Sequence, residues 1–75
     1  MKLNDLKIGE SAIISKVEAS ENIKKRFLDI GLIKNSKITK LLESKNMSSY
    51  NIKGANIAIR KSDTKDIEVK KWKLV

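Results

Sequence analysis

Side chains able to do chemistry near neutral pH are few in this sequence. It contains no histidine and no cysteine. That removes the commonest general base, the most reactive nucleophile and the usual ligands of zinc and haem. The nine acidic residues are scattered, and a carboxylate pair such as Asp63 and Asp66 has too little company to close around a metal ion. No metal site, no cofactor and no catalytic residue is therefore expected. A substrate pocket takes a few hundred Å³, which is costly to hollow from a chain this short, whose fold buries only about 60–65% of the unfolded surface. Composition argues for a protein that binds and against an enzyme.

The residues best placed to bind lie between Ser20 and Leu32. Ser20 suits an N-cap, Glu21 suits the positive end of a helix, and Ile23, Phe27 and Ile30 recur at helical spacing. Gly31 falls where a left-handed C-cap belongs. The spacing predicts a helix over Glu21–Ile30 with those three apolar residues facing the core. At about 100° per residue, Leu28 sits about 100–160° away from them, on the side that carries Lys24 and Glu21. Two readings of Leu28 stand: a rolled helix lets it touch a flanking loop, or it is an apolar knob ringed by charge, as docking sites often are. On the second reading the partner-binding face comprises Lys24, Lys25, Leu28, the exposed edge of Phe27, and Leu32 just beyond.

Charge widens the choice of partner. Seventeen basic against nine acidic residues give a net +8, which suits nucleic acid, an anionic membrane surface or an acidic protein patch. Only Arg26 and Arg60 are arginines; the rest are lysines. Arginine is the residue of bidentate phosphate and guanine contacts, so the ratio weighs against dedicated nucleic-acid readout. A nucleic-acid-binding small basic β-barrel remains the alternative function. It calls for several aromatic stacking residues on one face, and the chain has one each of Phe, Tyr and Trp. No apolar run approaches the ~18–20 residues that cross a bilayer. The expectation is a cytoplasmic protein that meets a membrane only through a membrane-bound partner.

The elements that position these residues are mostly strands. Leu3, Leu6 and Ile8 form a lead-in expected to tuck against the body, and Gly9 turns into a first strand over Ser11–Val17. Beyond the helix, Asn35-Ser36 is a turn and Lys37–Ser44 a second strand. Asn46–Ser49 is a polar connection, Tyr50–Ile52 a third strand, and Lys53–Asn56 a tight turn centred on Gly54. Ile57–Arg60 makes a fourth strand, Ser62–Lys65 a helical turn, and Ile67–Lys70 a fifth strand that the basic tail Lys71–Val75 could extend. Residues 1–75 read as one domain without linker or repeat. The fold class is mainly β: a small SH3-like, partly open barrel of about five strands, with one short helix between the first and second. Arg60 could pair with Asp63 or Asp66, or meet a partner, and Trp72 could cover the barrel end or face a partner.

Three segments in register, Leu3–Ala12, Lys24–Leu32 and Ile52–Val69, are similar to the FeoA family of the bacterial ferrous iron uptake system. The resemblance implies an SH3-like barrel and an accessory role, docking onto the cytoplasmic GTPase portion of the ferrous iron permease FeoB. Two departures stand out. The family's usual Pro-Gly after the helix is Lys34-Asn35 here, which should alter turn stiffness and not the fold. Its longer Gly-Asp-Pro loop before the third strand is reduced to Asn46–Ser49, so a partner contact through that loop is in doubt. Open edge strands can also pair with a second copy, so a homodimer stays open.

Overall fold

Alternation of buried and half-buried positions sets the strands of the computed structural model, which describes residues 1–72. They are β1 (Ser11–Val17), β2 (Lys37–Glu43), β3 (Met47–Ile52), β4 (Ala55–Arg60) and β5 (Ile67–Lys71). A helix, α1 (Glu21–Asp29), joins β1 to β2, and a single helical turn, α2 (Lys61–Thr64), joins β4 to β5. All pairings are antiparallel, in the order β4-β3-β2-β1-β5. Register shifts between Ile14 and Lys16 in β1, and between Lys40 and Leu42 in β2, interrupt the ladders. Such irregularities bend strands and raise their twist, and the sheet curls over a core that includes Ile14, Ile38, Tyr50, Ile52 and Ile67. The result is the expected SH3-like barrel, left open between β4 and β5.

Most boundaries lie within one residue of the pattern reading, and the two that differ by more, the starts of β3 and β4, do so for local reasons. β3 begins at Met47 because the Ser44 hydroxyl donates to the Met47 carbonyl (3.1 Å) and accepts from the Met47 N–H (3.2 Å). That closes the turn early and releases the next residues into the ladder. β4 begins at Ala55 because Lys53 (φ 52°) and Gly54 (φ 84°) form the two-residue, positive-φ hairpin turn that matches strand twist. Asn35 also sits at positive φ (75°), a conformation asparagine tolerates better than most residues.

The lead-in is held by a buried lysine. Lys40 is only 2% exposed, and its ammonium donates to the Leu6 carbonyl (3.0 Å) and pairs with the Glu43 carboxylate. Backbone bonds from Gly9 N–H to Lys40 O (2.8 Å) and from Lys40 N–H to Glu10 O (3.0 Å) fasten the same segment. Leu3 and Leu6 are thereby buried, whereas Ile8, expected to tuck in, is 60% exposed. It lies in the turn closed by Glu10 N–H to Lys7 O (2.9 Å). Trp72 is partly exposed, with Lys37 Nζ 4.5 Å from its ring centroid; residues 73–75 of the expected tail extension lie outside the described residues.

Two stability predictions follow from these buried groups. Lys40 foremost, then Lys61, holds the Glu43 carboxyl below its ordinary value of 4.5. A depressed carboxyl contributes stability that is full above the ordinary value and lost as pH falls through the lowered one. Glu43→Gln is therefore expected to lower the urea midpoint at neutral pH, with the gap to wild type closing as pH falls below the ordinary carboxyl value; a gap independent of pH refutes the pairing. The Tyr50 ring is fully buried and neither its hydroxyl nor that of Ser48 makes a well-formed hydrogen bond, while burial raises the phenol above its usual 10.0. Tyr50→Phe removes an unsatisfied group and is expected to leave stability unchanged or raise it by about 1 kcal/mol. A loss of that size in thermal unfolding would reveal a partner for the hydroxyl.

Candidate docking site

How α1 ends decides which of its residues are available. Leu32 N–H donates to Phe27 O (2.8 Å) and Gly31 N–H to Leu28 O (3.1 Å). With Gly31 at φ 88°, this is a Schellman closure, whose usual companion is an apolar contact between the residues at its two ends. Here those residues are Phe27 and Leu32, 6% and 2% exposed. At the other end Ser20 occupies the N-cap position but its hydroxyl makes no capping hydrogen bond; the Ser20 carbonyl accepts from Lys24 N–H (2.9 Å).

The closure corrects part of the expected docking face. Phe27 presents almost no edge to solvent and Leu32 is sealed, so neither offers a side chain on the surface; both hold the helix to the barrel. Ile30, expected in the core stripe, is 39% exposed. It sits at the C-cap with φ −97° and ψ 6°, off the helical path that the 3.6-residue spacing assumes. Leu28 is 61% exposed, on the charged side as the helical arithmetic places it.

Leu28 borders a groove of about 600 Å³ between α1 and the end of β1. Val17, Leu28, Leu32 and Ile33 supply its apolar lining, and Lys16, Lys24, Lys25 and Lys34 with Glu21 supply charge. Lys16 pairs with Glu18 (2.7 Å), whose carboxylate holds the Lys16 ammonium above its usual 10.5. Among the described residues, Lys24, Lys25 and Lys34 have no carboxylate within ion-pair distance. An apolar trough edged by unneutralised lysines suits an acidic, amphipathic polypeptide surface. Three of the five expected residues, Lys24, Lys25 and Leu28, meet there, and Leu32 lies beneath them. Val17, Ile33, Lys16 and Lys34 were not foreseen. Their signal in sequence was faint: each flanks the helix in the chain, and only the packing of α1 across the end of β1 makes them neighbours.

A second groove, of about 470 Å³, runs along the opposite side of α1. Ile23, Arg26, Phe27 and Ile30 form one wall, and residues of β4 with Met47 and Asp63 form the other. Of the two pairings open to Arg60, the structure shows that with Asp63, Nε to Oδ2 3.2 Å. Phe27 and Tyr50 are buried, so Trp72 is the one exposed aromatic ring among the described residues, short of the row of stacking platforms that single-stranded nucleic acid uses.

Comparison with known proteins places this geometry. The FeoA domain model matches residues 1–71. A Campylobacter jejuni protein assigned as Fe(2+) transport protein A is 34% identical over 71 residues, covering 92% of this chain and 96% of that one. The solution structure of FeoA from Chlorobium tepidum superposes with a TM-score of 0.89 at 27% identity, covering 95% of this chain and 70% of that one. The crystal structure of Stenotrophomonas maltophilia FeoA complexed with zinc, described as a procaryotic SH3 domain protein, superposes with a TM-score of 0.82, covering 93% of this chain and 89% of that one; at 21% identity it speaks for the fold.

The closure that orients α1 can be tested directly. A Cβ at Gly31 would lie 3.6 Å from Ile52 Cγ2, an ordinary contact, so its cost is conformational. Gly31→Ala is expected to lose about 1–2 kcal/mol in urea unfolding, with amide shifts concentrated in α1 and Leu32. A neutral substitution would show that positive φ is not required there.

Proposed function

The chain belongs to the FeoA family, and from that premise we propose that it is an accessory protein of ferrous iron uptake, working as one docking domain on the cytoplasmic GTPase portion of the permease FeoB. The observation that carries the reading is the α1–β1 groove: an exposed leucine above an apolar trough, with Lys24, Lys25 and Lys34 free of ion pairs among the described residues. Unpaired lysines steer an acidic surface into place and set the on-rate and its salt dependence. Leu28, once covered, supplies affinity; full burial of a leucine side chain is worth about 1.5–3 kcal/mol. No helix of the structure is long and apolar enough to cross a membrane. On this reading the protein works in the cytoplasm and reaches the membrane through its partner.

Leu28→Glu probes this without disturbing the core, because Leu28 is 61% exposed. Binding to the purified cytoplasmic portion of the permease is expected to weaken by about tenfold or more, with the variant's unfolding midpoint unchanged. Lys24→Glu with Lys25→Glu is expected to lower the association rate and flatten its salt dependence. Wild-type affinity for a folded Leu28→Glu variant removes Leu28 from the interface.

A further inference from the structure

The two edges of the open sheet are treated differently. Beyond β5 the N-terminal segment supplies cover: Val69 N–H donates to Met1 O (2.8 Å), Lys2 bridges to Glu68 in the ladder, and their side chains pair at 2.7 Å. Beyond β4 no such cover exists among the described residues. β4 pairs with β3 from Ala55 to Arg60 without a register shift, and it carries no charge before Arg60. A regular, uncharged edge is one that proteins ordinarily blunt, because it is a template for another strand.

The phase of the ladder identifies the free groups. Lys61 N–H donates to Asn46 O (2.9 Å), one step beyond the Arg60–Met47 pair and in the same register. Hydrogen-bonded pairs alternate along an antiparallel ladder, so Ile59, Ile57 and Ala55 bond to β3. The backbone groups of Asn56, Ala58 and Arg60 then point outward. Across the gap stands α1, which contributes Ile23, Arg26 and Ile30 to the shared groove. Both arginines of the chain, far apart in sequence, line this one groove. Arg60 is engaged by Asp63 through Nε, whereas Arg26 has no carboxylate within ion-pair distance among the described residues.

We infer that the β4 edge and the groove beside Arg26 and Arg60 form a second docking site, which takes an extended acidic segment of another protein by strand addition. The free N–H and C=O groups supply the main-chain ladder. The guanidinium groups supply a planar, directional match to carboxylate that lysine does not. A second copy of this chain fits poorly: antiparallel pairing of β4 with itself brings Arg60 to an Ala55 end without an acid, between two molecules that each carry +8.

The test is titration of the isotopically labelled full chain with a blocked hexapeptide alternating valine and glutamate, and with its lysine counterpart. The glutamate peptide is expected to shift the amides of Asn56, Ala58 and Arg60 and to slow their hydrogen exchange. The lysine peptide should bind about tenfold more weakly or worse, and Arg26→Glu should weaken glutamate-peptide binding by about tenfold with the rest of the spectrum unchanged. Absence of shifts along β4 at millimolar peptide, or equal binding of the two peptides, overturns the inference. So does a free chain that sediments as a dimer with those amides already protected, since the edge then belongs to a second copy. Shifts confined to Lys24, Lys25 and Leu28 overturn it as well, but leave the α1–β1 groove as the acidic site.

Discussion

Everything this surface offers depends on the six residues from Phe27 to Leu32, where the helix closes on itself around Gly31. The paired backbone bonds fix the chain's exit direction, and Phe27 and Leu32, one inside the helix and one just past it, are driven into the barrel together. With those two residues anchored, the helix cannot roll. A rolled helix would trade Leu28 for Ile23 at the barrel surface. Positive φ at Gly31 is the local condition of that outcome, and an alanine there has to be held in a region that L-residues avoid. Because the closure fixes one side of α1, the two remaining sides become the walls of separate grooves.

A second constraint acts at the other end of the molecule. Lys40 carries a charge into an interior where an unpaired ion is costly, and it is tolerated because Leu6 O and Glu43 surround its ammonium. The same bonds tie the N-terminal segment to β2, and that segment in turn covers the outer edge of β5. The barrel is therefore sealed on one edge by its own chain and open on the other. This asymmetry follows from where a single lysine is buried.

Much of this was legible in the sequence, and the misses have identifiable causes. The apolar pair Ile13 and Ile14 located β1, Ile57 and Ile59 located β4, clean alternation located β5, and the spacing of Ile23, Phe27 and Ile30 ahead of Gly31 located α1. Helical spacing carried one residue too far misplaces Ile30, a C-cap whose φ of −97° turns the side chain off the stripe. Leu32, an apolar residue just past the helix, suits the docking face by pattern alone. The Schellman geometry, in which the residue after the glycine meets the one four positions before it, decides for the core. Lys40 could not be foreseen, since a lysine between Thr39 and Leu41 reads as solvated and its partners, Leu6 and Glu43, are only assembled by the fold. The convergence of Arg26 and Arg60 is likewise a product of topology and leaves no mark on local pattern.

Exposure alone does not make Leu28 a contact residue. Leu42 is 67% exposed and Ile8 60%, and single apolar residues on a surface are ordinary. What separates Leu28 is its company. Leu42 and Ile8 line neither groove beside α1, whereas Leu28 continues an apolar trough that runs under Val17 and Ile33 to Leu32. The charges around it are also of a particular kind. At the β5 edge Lys2 is satisfied by Glu68, and near β2 Lys61 lies 3.7 Å from Glu43, while the lysines flanking Leu28 on α1 are left without a carboxylate. Lysines without a carboxylate within ion-pair distance among the described residues, gathered around one apolar trough on a helix locked against rolling, are what supports the proposal that this surface meets an acidic partner.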